Sequence, residues 1–464
     1  MSDSLKFGTS GLRGLAVDLV GKAAWRYTTA FLRHLESTDR RANAVMVGAD
    51  LRASSPDIVR SVIDAICGAG ARPIDCGALP TPALALEAMS RGLPAVMVTG
   101  SHIPADRNGL KFYSASGEID KADEAGILAA LSDGNSPVGG APAEDGTAAL
   151  SHYLARYEGV LGDDALQGWR VGVWQHSSVA RDVLVRLLQD TGAEIVALGR
   201  SDVFVPVDTE AVSGETQAEL SGWVRAHQLD AVVSTDGDAD RPLLVDEAGT
   251  LVRGDILGIL TARFVGARTV VTPVTSNSAI EGTGAFAMVR RTRVGSPFVI
   301  AAMGEAGAAA PVVGFEANGG VLLGSDVTIN GHMIGALPTR DAVLPILAVL
   351  GLTRAGGMTV GELVSTLPPR IARSGRLEHV AAERSAALIA LLQRDAAAYF
   401  AAQGRIAATS DIDGLRFEFS SGDVIHYRPS GNAPELRCYT EAATAERADA
   451  LLAWGLKAAE TVVR

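Results

Sequence analysis

The sequence predicts an α/β protein with an α+β domain at its C-terminal end. Several segments repeat one pattern, in which a short β-branched run is followed by a polar or glycine turn and an amphipathic helix; this is typical of α/β units on largely parallel sheets. The last part of the chain instead has consecutive alternating runs before a helix. The 464 residues exceed the roughly 250–300 at which a single core stops growing, so three or four domains are expected.

The first repeat of this pattern lies near the N-terminus. Residues 44–48 predict a strand, and Ser55 followed by Pro56 is typical of an N-cap and first turn of a helix. Residues 58–69 place apolar side chains at helical spacing. Residues 73–76 predict the strand that closes the unit.

Further segments show related orders of elements. The second repeat is predicted as a strand over 171–174, a helix over 183–188 and a strand over 194–198. The third repeat is predicted over 269–294. The C-terminal part is predicted as strands over 415–419, 424–427 and 435–439 and a helix over 445–459.

The charge and cysteine content disfavour several classes of protein. The formal net charge of −12 argues against a nucleic-acid-binding protein, which presents a clustered basic surface, although a local pocket can still be basic. The three cysteines have no CxxC spacing, so a disulfide framework and a zinc site are disfavoured. No signal-peptide profile and no apolar run of ~18 residues is present, so we expect a cytoplasmic protein without a membrane partner.

A first candidate site is the loop that contains Ser101, directly after the apolar run 94–98. A serine that follows a glycine and precedes His102 at the end of a strand is approachable, as a phosphoryl acceptor must be. Lys111 can neutralise an attached phosphate or assist proton transfer. The alternative is an ordinary turn between a strand and a helix.

A second candidate site follows residues 229–234, where Asp236, Asp238 and Asp240 alternate along the chain. Oxygen ligands without a nearby His or Cys favour Mg²⁺ over zinc, and packed carboxylates repel one another unless a cation joins them. The alternatives are a solvated acidic turn and a calcium loop. The calcium loop is disfavoured because Arg241 occupies its sixth position, which requires glycine.

A third candidate site is the glycine-rich segment 314–320. Glu316 and Asn318 supply a carboxylate and an amide two residues apart, which suit a pair of sugar hydroxyls. The flanking glycines let a ligand approach the backbone. The alternative is a glycine-rich turn between two strands.

A fourth candidate site is the turn that begins at Arg428, with Arg437 just beyond it. An arginine offers a bidentate fork for a phosphate, and a turn such as that through Ser430, Gly431 and Asn432 can hold an anion on its backbone. The alternative is an ordinary hairpin turn with a surface arginine.

Together the four loops supply a nucleophile, a divalent-metal site, a hydroxyl acceptor and a phosphate clamp, a complete set for phosphoryl transfer on a sugar phosphate. With these motifs in this order, the chain resembles the α-D-phosphohexomutase superfamily, which contains phosphomannomutases, phosphoglucomutases and phosphoglucosamine mutases. The resemblance also rests on residues 7–14 (FGTSGLRG) and 80–82 (PTP), and it spans nearly the whole chain.

The resemblance implies three related α/β domains with mixed sheets and a C-terminal α+β domain around a central active-site cleft. The expected domains are 1–145 with the phosphoserine loop, 146–250 with the metal-binding loop, 251–368 with the sugar-binding loop and 369–464 with the phosphate-binding loop. The clearest linker is expected within 134–146, which is rich in glycine, proline and small residues.

The resemblance also implies roles for the candidate residues. Ser101 matches the phosphoserine, whose phosphate is expected to complete the shell of an Mg²⁺ ion. The metal ligands are matched by Asp236, Asp238 and Asp240. Positions implicated in transfer and proton handling are matched by Arg13, His102 and Lys111, with Arg241 beside the metal. The sugar-hydroxyl acceptor is matched by Glu316, and the distal phosphate clamp by Arg428, Ser430, Gly431 and Asn432.

The implied activity is the interconversion of hexose 6-phosphate and hexose 1-phosphate through phospho-Ser101. A hexose 1,6-bisphosphate is the expected intermediate and activator. Mannose phosphate is the expected substrate, with glucose phosphate and glucosamine phosphate as alternatives, and the chain is expected to be a monomer or homodimer. A magnesium-dependent sugar phosphatase and a non-catalytic sensor are alternatives of a different class. The separate phosphate clamp argues against the first, and the intact serine and aspartates argue against the second.

The chain departs from the usual pattern of the family in three places. In the nucleophile loop, Ile103 stands where many members have Asn, and Gly100 stands where many have Ala; these two changes are expected to affect the hydrogen bonding of the loop. Ser296 stands where bacterial mannose and glucose enzymes often have His. The sugar loop has Glu-Ala-Asn-Gly in place of Glu-Met-Ser-Gly or Glu-Gln-Ser-Gly.

Overall fold

The computed structural model describes residues 4–8, 11–132, 142–307, 311–430 and 434–464. The chain divides into two compact units, the first comprising Met1–Val270 and Gly295–Val364 and the second Val271–Val294 and Ser365–Arg464. In the described ranges, no helix combines the length and apolar character needed to cross a membrane.

The first part of the first unit is built on a mixed sheet with strand order β1-β2-β6-β5-β3-β4-β8, and β7 pairs with β6. Strand β3 runs parallel to β4 and β5, whereas β6 runs antiparallel to β2 and β5. The elements are β1 (Lys6–Phe7), β2 (Leu12–Leu15), α1 (Ala16–Leu19), α2 (Lys22–Ser37), β3 (Ala44–Ala49), α3 (Ser55–Gly68), β4 (Arg72–Ala78), α4 (Thr81–Arg91), β5 (Ala95–Val98), β6 (Arg107–Ser114), β7 (Gly117–Glu118), α5 (Lys121–Ala129) and β8 (Glu144–Asp145).

Helix α3 shows how local sequence and packing agree in this part. Pro56 lies in its first turn, where the missing N–H is not needed, and Ile58, Val62 and Ile66 are fully buried. The helix begins at Ser55, so the N-cap position is Ser54 and not Ser55 as predicted. Part of the predicted linker, residues 134–141, lies outside the described residues, whereas strand β8 lies within the linker's last residues.

The second part of the first unit is a smaller mixed sheet with strand order β10-β9-β11-β12-β13. Strand β9 is parallel to β10 and β11, and β11 turns back into the antiparallel β12, so the segment 236–241 forms the tip of a hairpin. The elements are α6 (Ala148–Tyr157), β9 (Arg170–His176), α7 (Arg181–Gln189), β10 (Glu194–Arg200), α8 (Gly214–His227), β11 (Ala231–Thr235), β12 (Pro242–Val245) and β13 (Leu251–Val252).

The next part of the chain belongs partly to each unit. Strands β16, β17 and β20 form an antiparallel run in the first unit, and the buried helix α12 follows β20 directly. The elements are α9 (Gly254–Phe264), β14 (Thr269–Pro273), α10 (Ala279–Gly282), β15 (Met288–Thr292), α11 (Ser296–Glu305), β16 (Val312–Phe315), β17 (Val321–Leu323), β18 (Val327–Ile329), β19 (His332–Ile334), β20 (Leu337–Asp341), α12 (Val343–Gly356) and α13 (Val360–Ser365).

The C-terminal part of the second unit is an antiparallel sheet with strand order β21-β25-β24-β23-β22. Alternate residues of β23 are buried, as expected for a sheet with one face on the core. Strand β21 and helix α14 had no counterpart in the sequence-based prediction. The elements are β21 (Ile371–Glu378), α14 (Ala382–Tyr399), β22 (Ile406–Ser410), β23 (Leu415–Phe419), β24 (Val424–Pro429), β25 (Glu435–Ala442) and α15 (Ala445–Val463).

Candidate active site

Ser101 lies in the turn that follows β5, and its side chain is fully buried. The predicted exposure of this serine is therefore wrong, because the hydroxyl is enclosed by contacts with Asp236 and His102. Its backbone has a φ of +54°, in the left-handed region, and its N–H donates to Thr99 Oγ1 at 2.8 Å. The Ser101 hydroxyl donates to Asp236 Oδ2 at 2.5 Å and lies 3.2 Å from His102 Nδ1. A residue in a sparsely populated conformation is held there by its surroundings, which is common at functional sites.

Arg52 holds the nucleophile loop (residues 101–107) by its backbone, and sequence analysis did not single it out. Its buried guanidinium donates to the carbonyl oxygens of Ser101 at 2.9 Å and Ile103 at 2.6 Å. It also donates to the carbonyl oxygens of Pro104 at 2.7 Å and Arg107 at 2.8 Å. Because these acceptors are backbone atoms, the loop keeps its path with Ile at position 103.

Asp50 completes the support of this loop. Its Oδ2 accepts hydrogen bonds from Arg52 Nε at 3.1 Å, Thr99 Oγ1 at 2.8 Å and the Gly100 N–H at 3.2 Å. A Cβ at Gly100 would lie 2.6 Å from Arg52 Cζ, so an alanine at this position would require the guanidinium to shift.

The metal loop (residues 236–241) brings Asp236, Asp238 and Asp240 together. One carboxylate oxygen of each lies within 4.8 Å of the others, and all three side chains are buried. Asp236 Oδ1 accepts the backbone N–H groups of Asp240 and Arg241, both at 3.2 Å. These bonds close the turn and aim the carboxylates inward.

Cations offset the charge of these aspartates. Lys111 Nζ lies 2.6 Å from both Asp238 Oδ2 and Asp240 Oδ2. Arg340 Nη2 donates to Asp240 Oδ2 at 2.7 Å, and Arg241 Nε lies 3.7 Å from Asp240 Oδ1. The predicted Lys111 and Arg241 are therefore at the metal loop, and Arg340 is an addition that sequence analysis missed.

The surroundings shift the pKa values of Asp236 and Asp240 in opposite directions. Burial and the charges of Asp238 and Asp240 raise the pKa of Asp236 well above its usual value. Although burial works in the opposite direction, Arg340 and Lys111 lower the pKa of Asp240. Burial alone would lower the pKa of Lys111, but Asp238 and Asp240 raise it, so this side chain is an ammonium at neutral pH.

The aspartate cluster fits a hard divalent cation. Asp238 Oδ1 and Asp240 Oδ1 are buried and have no hydrogen-bond partner among the described residues. Buried carboxylate oxygens without a partner are costly unless a cation joins them. The donor set is oxygen only, as Mg²⁺ prefers, so these residues can hold a metal ion.

Arg13 and His102 lie in the same positively charged surroundings. Burial, with Arg241 and Arg340 nearby, lowers the pKa of Arg13 to about 10. Burial, together with Arg241 and Arg13, also lowers the pKa of His102 far below its usual range. The His102 imidazole is therefore neutral at physiological pH, and Arg13 remains a guanidinium cation.

The sugar loop (residues 314–320) places its acidic residue beside the metal loop. Glu316 Oε2 accepts from Arg340 Nη1 at 2.8 Å. Asn318 Oδ1 accepts the Gly320 N–H at 2.9 Å, so this oxygen shapes the turn. Its participation as a sugar ligand stays a prediction.

The predicted phosphate clamp lies in the second unit. Arg428 Nε donates to Asp413 Oδ2 at 2.7 Å, and Arg428 is the cross-strand neighbour of Arg437. The Ser430 N–H donates to the Glu435 carbonyl oxygen at 2.9 Å. Gly431 and Asn432 lie outside the described residues. The structure thus pairs Arg428 with an orienting carboxylate, Asp413, that sequence analysis missed.

Ser296 is part of a buried contact within the first unit. Its hydroxyl donates to Glu118 Oε2 at 2.8 Å, and Thr339 donates to Glu118 Oε1 at 2.7 Å. The hydroxyl of Ser296 therefore helps to hold the Glu118 carboxylate.

Comparison with known families identifies four domains that together cover most of the chain. Profiles of phosphoglucomutase/phosphomannomutase match as follows: α/β/α domain I over residues 4–137, domain II over 153–249, domain III over 253–371 and the C-terminal domain over 379–453. A phosphomannomutase of Sinorhizobium fredii is 50% identical over 97% of this chain and 98% of its own length. A phosphomannomutase of Salmonella muenchen is 43% identical over 96% of this chain and 93% of its own length.

Solved structures share the fold. A phosphoglucomutase/phosphomannomutase family protein of Burkholderia thailandensis superposes with a TM-score of 0.75 at 22% identity and covers 98% of each chain. An N-acetylphosphoglucosamine mutase of Aspergillus fumigatus, in complex with GlcNAc-6P and magnesium, has a TM-score of 0.55 at 17% identity and covers 99% of this chain and 96% of its own.

These findings define a phosphohexomutase fold, and the chain belongs to the phosphoglucomutase/phosphomannomutase family. It is an isomerase of the mutase class. The predicted superfamily and the α/β fold class with mixed sheets are confirmed. The domain boundaries predicted at 145, 250 and 368 stay predictions.

Proposed function

We propose that this chain is a magnesium-dependent phosphomannomutase, which interconverts mannose 6-phosphate and mannose 1-phosphate through phospho-Ser101. The observation that carries the proposal is the 2.5 Å hydrogen bond from Ser101 Oγ to Asp236 Oδ2, because the proposed nucleophile thereby contacts the aspartate cluster. The phosphomannomutases that are 50% and 43% identical to this chain favour mannose as the sugar.

The aspartates at 236, 238 and 240 would hold the ion, and Mg²⁺, when bound, supplies positive charge that stabilises the transferred phosphoryl group. Lys111 adds a fixed ammonium, held by Asp238 and Asp240 at 2.6 Å. A preorganised charge of this kind costs no rearrangement during transfer. The neutral imidazole of His102 lies 3.2 Å from Ser101 Oγ, whereas the Ser101 hydroxyl donates its proton to Asp236 Oδ2.

The two half-reactions balance on Ser101. In the first, the bond between phosphorus and Ser101 Oγ breaks and a bond from phosphorus to the free sugar hydroxyl forms; that hydroxyl loses its proton, and Ser101 Oγ takes one up. The product is a hexose 1,6-bisphosphate, which also serves as the activator. In the second, the Ser101 hydroxyl loses its proton as Oγ binds the phosphorus of the other phosphate, the bond from that phosphorus to the sugar oxygen breaks, and the sugar oxygen takes up a proton.

The distal phosphate is proposed to bind at Arg428, whose fork Asp413 orients through the 2.7 Å bond. A clamp must accept either sugar phosphate orientation, which a planar guanidinium allows. We expect Arg428→Ala to lower kcat/KM in both directions, by an amount that corresponds to a loss of about 2–4 kcal/mol of transition-state stabilisation. Normal kcat/KM in either direction would place the clamp elsewhere, with Arg437 as the next candidate.

The sugar is tested by coupled assays on mannose 1-phosphate, glucose 1-phosphate and glucosamine 1-phosphate, with hexose 1,6-bisphosphate and Mg²⁺ present. We expect the highest kcat/KM with mannose 1-phosphate. A higher value with glucose or glucosamine would reassign the substrate within the family. Release of inorganic phosphate in place of the isomer would instead identify a sugar phosphatase.

A further inference from the structure

Arg340 is a buried arginine that connects two loops of the site. It lies in β20, and its side chain is only 3% exposed. Its Nη2 and Nε donate to Asp240 Oδ2 at 2.7 and 3.2 Å, and its Nη1 donates to Glu316 Oε2 at 2.8 Å. One guanidinium thus binds a carboxylate of the metal loop with one edge and the carboxylate of the sugar loop with another.

The sugar loop is built to admit this side chain. A Cβ at Gly320 would lie 2.8 Å from Arg340 Cδ and 2.6 Å from the Asp240 carbonyl oxygen. A side chain at position 320 would therefore displace either the arginine or the metal loop. The second glycine of the Asn-Gly-Gly turn and the arginine form one structural arrangement, although twenty residues separate them in the sequence.

The contact with Arg340 defines which oxygen of the Glu316 carboxylate faces a ligand. Arg340 occupies Oε2, so Oε1 is the oxygen that remains for a donor on a ligand. A buried carboxylate held by a guanidinium keeps one orientation. Such an acceptor distinguishes a correctly placed hydroxyl from a misplaced one more sharply than a mobile carboxylate does, because an unmatched buried acceptor is costly.

We propose that Arg340 is a positioning residue that fixes the Glu316 carboxylate as the acceptor for hexose hydroxyls and ties it to the metal loop through Asp240. In this way it sets how strictly the site selects its hexose phosphate. The inference rests on the proposed function, since it assumes that Glu316 binds the sugar. It concerns selectivity between sugars, which none of the four motif loops explains.

The test compares Arg340→Lys with the wild type on mannose, glucose and galactose 1-phosphates. Mannose and galactose each differ from glucose in the configuration of one hydroxyl. A lysine keeps the buried positive charge, but its single ammonium cannot span Asp240 and Glu316 as the fork does. We expect kcat/KM for the best sugar to fall about tenfold, mainly through KM. We also expect the ratio between the best and the worst sugar to shrink by a similar factor.

A double-mutant cycle separates this role from general damage. Glu316→Gln alone and together with Arg340→Lys should give losses that are clearly less than additive, because the arginine acts through the glutamate. Additive losses, or an unchanged sugar ratio in Arg340→Lys, would overturn the proposal. Arg225→Lys, an exposed arginine of α8, is the matched control and should leave every value unchanged.

A binding measurement supplies a readout that does not depend on turnover. In a Ser101→Ala background, calorimetric titration with each hexose 1-phosphate should show the same loss of discrimination on adding Arg340→Lys. If Arg340→Lys fails to fold, Arg340→Gln takes its place, because a single amide group cannot contact Asp240 and Glu316 as the guanidinium does. A wild-type protein without mutase activity on any of the three sugars would refute the proposed function. Normal mutase activity with undiminished discrimination in the variants would refute only the role of Arg340.

Discussion

The nucleophile loop and the metal loop meet at the Ser101–Asp236 hydrogen bond, but they are held by different forces. In the nucleophile loop, the Arg52 guanidinium donates to four backbone carbonyl oxygens. In the metal loop, Lys111 and Arg340 bind carboxylate side chains. The nucleophile loop is therefore held by hydrogen bonds to its backbone, and the metal loop by ion pairs to its side chains.

The difference explains which positions tolerate change. Replacing a side chain in the nucleophile loop leaves its carbonyl oxygens in place, which is why Ile103 is compatible with the same path. Removing one member of a buried charge pair leaves the other uncompensated, at a cost of about 3–5 kcal/mol. We therefore expect the metal loop to respond to charge and the nucleophile loop to the shape and reach of Arg52.

The largest effect is expected where the two loops meet. Ser101→Ala removes the proposed phosphoryl acceptor, so turnover should fall by at least about three decades. Steady-state kinetics and intact-mass analysis test this, and the wild type should carry a fraction with one added phosphate at Ser101. An Ala variant that keeps most of its activity would show that the nucleophile is another residue.

The metal loop is tested by Asp238→Asn, which keeps the shape of the side chain but removes one anionic ligand. Activity and Mg²⁺ affinity should each fall about 100-fold, as for disruption of a metal's ligand sphere. The rise in melting temperature that Mg²⁺ gives the wild type should be lost. Equal activity in EDTA and in Mg²⁺ for the wild type would contradict the metal site itself.

The nucleophile loop is tested by Arg52→Lys, which keeps the charge but cannot reach all four carbonyl oxygens. We expect kcat to fall about tenfold, because misplacement of the nucleophile weakens transfer, while the Mg²⁺-induced rise in melting temperature is retained. The same variant losing that rise would mean that the two loops form one cooperative unit. Arg60→Lys, on an exposed part of α3, serves as the control.

The smallest effect is expected from Thr81→Val, at the contact between α4 and the metal loop. The Thr81 hydroxyl donates to Asp238 Oδ2 at 2.6 Å, and its N–H donates to the Asp238 carbonyl oxygen at 2.9 Å. Valine keeps the second bond and loses the first, so the free energy of unfolding should fall by about 1–2 kcal/mol. Urea unfolding measures this, and added Mg²⁺ should reduce the difference. A loss as large as that expected from removing a charge partner would show that neutral contacts also hold this loop.

Much of the candidate site could be predicted because its chemistry is concentrated in short motifs. Ser101 with His102, and the alternating aspartates from Asp236 to Asp240, are contiguous and have unusual composition. Arg52, Arg340 and Asp413 gave no such signal, because each is a single common residue in an apolar or turn segment. The nearest available indication was the glycine at position 100, since a glycine in a functional loop implies a close neighbour.

The sequence by itself determined the α/β class, the order of the four candidate loops and the aspartate cluster, and it predicted Ser101 as the nucleophile. These properties depend on periodicity and local residue types, which are visible along the chain. Only the tertiary structure decided which cations neutralise the aspartates, that Gly100 makes room for Arg52, and that Gly320 makes room for Arg340. Such pairings join residues that are distant in the sequence, and burial makes them energetically decisive because water no longer solvates the charges.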